Sequence, residues 1–164
     1  MTALQEFTEV FRAEHRQVRD LLLELVGAFR EGDVEWARSL ATPVAAATGP
    51  HFRYEEEAMY PELTAIFGEA YVAKLLADHD GAIRNLREVL WLADNATLSA
   101  DQAERGARLA QEILPHVSDC EGLTIMVETL PDELVGQILT ARRAAFGANL
   151  DLLTWAATER AHSA

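Results

Sequence analysis

The chain has 164 residues, 49% of them hydrophobic, and carries a formal charge of -13 from 14 basic and 27 acidic residues. That length and apolar content suit one folded domain and exclude a disordered chain, while no apolar run approaches the roughly 20 residues that a membrane helix needs. The acidic excess, with no Lys/Arg cluster to offset it, excludes nucleic acid and anionic membrane as partners. The start, MTALQEFTEVFRAEH, has neither a basic stretch nor an apolar signal segment, so a cytoplasmic location is expected. The lone cysteine, Cys120, cannot form an internal disulfide and fits a reducing compartment.

Alternating β-branched runs are missing and Ala, Leu, Glu and Arg recur at a helical period, which predicts an all-α chain. A first helix is expected over about Thr2 to Arg30, with Leu4, Phe7, Phe11, Val18, Leu22, Leu25 and Phe29 on one stripe and His15 inside it. A second spans about Asp33 to Phe67, and Pro43 and the TGP at 48 to 50 are expected to kink or restart it just before His51. The third, about Glu69 to Ala93, sets Val72, Leu76, His79, Ile83, Leu86 and Leu90 on one face. After the loop DNATLSAD a fourth, about Ala100 to Leu130, brings Ile113, His116, Val117, Cys120 and Val127 together. Pro131 followed by Asp132 and Glu133 marks the start of a fifth helix, expected to reach about Arg160. The reading is an up-and-down four-helix bundle over residues 1–130. Residues 131–164 form a C-terminal helix that packs on the bundle or on a second subunit as a homodimer contact.

Each residue of an α-helix advances about 100°, so positions i and i+4 fall within about 40° on one face. His51 and Glu55 in HFRYEEEAMYP therefore reach one point. PHVSDCE at 115 to 121 repeats the arrangement in part, with a proline before His116 and carboxylates after it at Asp119 and Glu121. His15 and His79 add one inward histidine from each remaining helix. With about half of each helix facing inward, all four landing inside by chance is roughly one in sixteen. Buried imidazoles and carboxylates without strong partners are unfavourable, and a metal centre satisfies them together. Mixed imidazole and carboxylate donors suit iron, manganese or zinc rather than calcium, and two carboxylates able to bridge favour two metals. Such ions keep coordination positions open to water, an oxo bridge, O2 or peroxide.

EHRQVRDLL around His15, HFRYEEEAMYP, ADHDGAIRNL around His79 and HVSDCE together resemble the hemerythrin-like (HHE) domains, non-haem di-iron four-helix bundles. The resemblance covers about residues 8–128. It implies two iron ions, ahead of the manganese or zinc that the donors would also suit; His15 and His51 would hold one iron, His79 and His116 the other, and Glu55 would bridge them. Two departures accompany it. The oxygen carriers of the family have a further histidine four residues after the one in the third helix, and here that position is Ile83, which weakens a reading as a reversible O2 carrier. The family's common H-x3-E pattern would place the fourth-helix carboxylate at Cys120, whereas the carriers' H-x4-D spacing lands on Glu121. Glu121 is the expected ligand, through a local distortion that Pro115 or Gly122 would assist; a regular helix would turn Cys120 toward the metals instead.

Cys120 otherwise reads as a small buried hydrophobe. Tyr54 is a further potential ligand through its phenolate, or a packing residue. Glu56 and Glu57 read as a solvated face, His162 as a residue of a frayed terminus, and Trp36, Trp91 and Trp155 as core or interface anchors. Open metal positions point to a protein that binds and reduces or activates O2 or peroxide, in oxidase, peroxidase, catalase-like or oxygenase chemistry. The alternatives are a non-catalytic protein that senses, binds or stores O2, NO or iron, and a structural zinc bundle. The motifs leave open whether the chain is an enzyme.

Overall fold

The computed structural model describes residues 1–162, and among them there are helices and no strands. Helix α1 (Ala3–Glu31) begins on a capping box, in which the Thr2 hydroxyl accepts from the Gln5 amide and the Gln5 side chain accepts from the Thr2 amide. It ends at Gly32 in a left-handed conformation. Its stripe of Phe7, Phe11, His15, Val18, Leu22, Leu25 and Phe29 is buried.

Helix α2 (Val34–Tyr54) runs through both Pro43 and Pro50 without a restart. The expected interruption comes later and in another form. Residues Glu55–Met59 make a π-helical turn, and the chain continues as α3 (Tyr60–Phe67). The wider turn changes the helical phase directly after His51 and Glu55, a feature that recurs at functional sites.

Helix α4 (Glu69–Ala93) matches the third predicted helix. The fourth is broken into α5 (Ala100–Gln111), α6 (Leu114–Glu121) and α7 (Thr124–Val127). Pro115 has no amide hydrogen to continue the α5 ladder, which explains the break before α6. The fifth is likewise two helices, α8 (Asp132–Ala148) and α9 (Leu152–Thr158), parted where Asn149 takes a positive φ of 51°.

Helices α1, α2, α4 and α5 to α7 form the bundle. Helix α8 lies on α1 and α2, and α9 lies on α2 and α4. Val135, Ile138, Leu139, Ala145, Leu152 and Trp155 are thereby buried within the chain. Of the other tryptophans, Trp36 is half-buried and Trp91 is exposed. The seating of this segment depends on Gly49: a Cβ there would stand 2.2 Å from the Leu150 carbonyl oxygen, so only glycine admits the α8–α9 connection so close to α2. We propose residues 131–164 as a unit distinct from the bundle, the last two lying outside the described residues. No helix among the described residues is long and apolar enough to cross a membrane.

The core has two apolar clusters. One gathers Leu22, Leu25, Phe29, Val44, Leu86 and Ile113, and the other gathers Phe7, Phe11, Met59, Leu63, Leu75 and Val127. The buried polar residues His15, His51, Glu55, His79 and His116 belong to neither and form a layer of their own.

Candidate metal centre

Helical period alone carries His15, His51, His79 and His116 inward from α1, α2, α4 and α6, and all four are buried. Glu55, at the first position of the π turn, is fully buried among them. One of its oxygens lies 3.0 Å from His51 Nε2 and the other 3.1 Å from His79 Nε2. The imidazoles form two perpendicular pairs, His15 with His51 at 4.5 Å between ring centroids and His79 with His116 at 4.6 Å. Phe52 stacks on His79 at 3.7 Å and 6°. Phe11 packs on His15 at 4.3 Å, so apolar rings wall the centre.

Three rings are fixed by their outward nitrogens. His15 Nδ1 donates to the Phe11 carbonyl at 2.8 Å, His51 Nδ1 to Glu14 at 2.7 Å and His79 Nδ1 to Glu56 at 2.8 Å. A carbonyl or carboxylate oxygen only accepts, so each Nδ1 carries a hydrogen, and Nε2 is the ring nitrogen that a metal would take, displacing the proton that His51 and His79 share with Glu55 in the metal-free protein. His116 differs, because neither of its ring nitrogens has a partner. Asp78 stands 3.7 Å from its Nδ1, too far for a hydrogen bond. A buried imidazole without partners is unfavourable, and a metal ion would satisfy it.

The ligand atoms group into two sets that share Glu55. His15, Glu55 and Cys120 make one, and Glu55, His79 and His116 the other, each with its donor atoms within 4.8 Å of one another. Glu121, the expected fourth-helix ligand, lies outside both sets. Helix α6 runs without a break from Leu114 to Glu121, so Cys120 at i+4 shares the face of His116 while Glu121 is rotated about 140° from it. Cys120 is fully buried and its thiol donates to Glu55 at 2.8 Å, whereas Glu121 is partly exposed and joins neither set. Tyr54 also points elsewhere, its hydroxyl donating to Glu14 at 2.8 Å on the outer side of His51. Tyr60 approaches the site instead, with its hydroxyl 3.1 Å from His79 Nε2 and 3.3 Å from Glu55.

The metal-free electrostatics follow from this packing. Burial and the His51 charge push His15 down to about 4, and burial with the His79 charge does the same to His116. Burial works against the charge of His51, but Glu55 and Glu14 outweigh it and hold its pKa up to about 10. Burial likewise opposes the Glu55 charge, and the His51 and His79 partners still hold its carboxyl well below the usual range. Burial and the Glu55 charge push the Cys120 thiol well up. Burial lowers His79 as well, but Glu55 and Glu56 outweigh it and raise its pKa; a metal ion would have to displace the protons held by His51 and Cys120.

Sequence reasoning missed the outer partners. Glu56 is not part of a solvated face: its side chain is 7% exposed, caught between His79 and Arg160. Glu57 is exposed, as expected. Glu14 is buried beside His51 and takes hydrogen bonds from Tyr54 and Arg142. The flanking positions of these carboxylates, one residue from a ligand each, gave no periodic signal. His162 is exposed and lies 3.3 Å from Asp80.

A helical bundle with imidazole, carboxylate and thiol donors converging at its centre defines a metal-binding protein. The family model that matches is the hemerythrin HHE cation binding domain, over residues 6–125, and the chain belongs to that family. No curated protein and no solved structure matches the chain.

Proposed function

We propose that this chain is a non-haem di-iron protein that binds and reduces or activates O2 or peroxide. The observation that carries the reading is the pair of donor sets joined through Glu55, with one buried histidine, His116, left without any other partner. His15, His51, Glu55 and Cys120 would hold one ion and Glu55, His79 and His116 the second. Glu55 would belong to both sets, and Cys120 would take the place expected for Glu121. When bound, the iron pair would supply electrons and Lewis acidity for reducing an O–O bond.

The protein's own part is to bind, enclose and protonate. A cavity of about 10 Å³ opens beside the rings, lined by His15, Val18, Thr48, His51, Phe52, His116 and Val117. That is room for about one water-sized group, which favours a small ligand over a bulky organic substrate at this position. The Thr48 hydroxyl in its wall is committed to the Val44 carbonyl at 2.7 Å, which leaves the histidine nitrogens as the polar groups facing an incoming ligand. Burial and the nearby Cys120 and Glu55 push the Tyr60 phenol well above its ordinary value, so it stays protonated. Its hydroxyl, 3.3 Å from Glu55 and 3.1 Å from His79 Nε2, is a proton donor beside the site that is not among the residues proposed to hold either ion.

Metal analysis and an optical spectrum of protein from iron-grown cells, with peroxide and O2 consumption measured against metal-free protein, test the reading. About two irons per chain and turnover lost on metal removal are expected. One zinc per chain, with no visible absorption and no turnover, would overturn it.

A further inference from the structure

The C-terminal segment supplies two arginines to the centre's outer carboxylates, and both lie beyond the residues that match the family model. Arg142, on α8, donates through Nε to Glu14 Oε1 at 2.5 Å. The other oxygen of Glu14 takes the His51 Nδ1 hydrogen at 2.7 Å, and His51 Nε2 faces one oxygen of Glu55. Arg160, just past α9, donates to Glu56 at 2.7 Å through Nη2 and at 3.0 Å through Nε. Glu56 takes the His79 Nδ1 hydrogen at 2.8 Å, and His79 Nε2 faces the second oxygen of Glu55. Two relays of the same order, arginine to carboxylate to imidazole, thus end on the two oxygens of one residue.

Their surroundings mark them off from surface ion pairs. The Arg160 side chain is 1% exposed, is held by Asp80 at 2.7 Å and lies over the Trp155 ring. Arg142 lies over the Phe146 ring. Arg143, on the same helix, makes an exposed pair with Glu6 at 3.3 Å and touches nothing in the centre. Arg160 forks on Glu56 and fixes its plane, Arg142 holds one oxygen of Glu14 through Nε alone, and a fixed carboxylate fixes the ring and tautomer of the histidine that it accepts from.

We propose that Arg142 and Arg160 are positioning residues of the metal centre, and that the C-terminal segment is a strap that preorganises His51 and His79 by locking Glu14 and Glu56. The inference rests on the metal-binding character of the site, not on which metal it holds or which reaction it runs. The strap reaches the two halves of the centre separately, α8 serving His51 and the end of α9 serving His79.

The test loads the full chain with cobalt(II) and follows its visible spectrum and its release to excess EDTA. The variants are Arg142→Gln, Arg160→Gln, Arg142→Lys and Arg160→Lys, with Arg143→Gln as the control for a structural pair on the same segment. Loss of an outer partner to a metal-bound histidine weakens metal holding about 10- to 100-fold, so release from the two glutamine variants should quicken by that factor and their spectra should shift. The lysine variants keep the charge and should recover part of the effect, and Arg143→Gln should match the wild type. Should a glutamine variant not fold, its lysine partner still reads the loss of the guanidinium contact, forked at Arg160 and single at Arg142. Release and spectra unchanged from the control in all four would overturn the proposal while leaving the metal reading intact. A wild-type chain that takes up no cobalt would overturn both.

Discussion

Replacing His116 with leucine should make the metal-free protein more stable while disabling its metal uptake. His116 is 6% exposed, and neither ring nitrogen has a hydrogen-bond partner. With its pKa down at about 4 the ring is neutral at pH 7, so it buries one unpaired donor and one unpaired acceptor. Leaving a buried polar group unsatisfied costs about 1–3 kcal/mol, and an apolar side chain of similar size removes that cost. Phe52 at 5.6 Å and Val117 offer an apolar side for leucine, with the His79 ring at 4.6 Å completing the wall. For a chain of this size each kcal/mol moves the melting temperature by about 2–4 °C, so the metal-free variant should melt about 2–12 °C above the metal-free wild type. Differential scanning calorimetry on both proteins after chelation, with metal content measured after reloading, checks the two halves together. A metal-free variant that melts below the wild type would refute the claim that His116 is kept for a metal at the expense of stability.

Cys120→Ser should lower metal affinity and remove any sulfur-to-metal charge-transfer absorption, while Glu121→Ala, at a partly exposed position, should change neither; the reverse pattern would return the ligand to Glu121. Glu55→Ala should abolish metal binding, because both donor sets contain that residue, and retention of one full equivalent by metal analysis would show that the sets are independent. Metal-free stability should peak near neutral pH. His15 and His116, lowered to about 4, withdraw stability as pH falls from their ordinary 6.5 toward 4, whereas His51, raised to about 10, contributes fully below 6.5 and loses its contribution as pH rises to 10. Thermal melts from pH 4 to 10 that rise without a maximum would contradict this balance. Gly49→Ala should destabilise by about 1–3 kcal/mol as its Cβ forces the α8–α9 connection outward, and it should speed proteolysis of the C-terminal segment.

The period of the apolar residues by itself determined four inward faces and which histidine stands on each, because a helix turns by a fixed angle per residue. The same rule placed Glu55 one turn from His51, and Pro131 marked the start of the C-terminal segment. The phase of α6 was beyond it. Whether position 120 or 121 faces His116 depends on whether Pro115 and Gly122 distort the helix between them, and the run from Leu114 to Glu121 keeps its phase. The π turn was equally hidden, since nothing in EEEAM separates five residues per hydrogen-bonded turn from four. Contacts across long stretches of chain were decided only by the packed structure. Arg142 meets Glu14 across 128 positions and Arg160 meets Glu56 across 104, and no local pattern records such a pairing. A buried charge in a flanking position looks in sequence like any solvated one, and only the strap laid over it excludes the water.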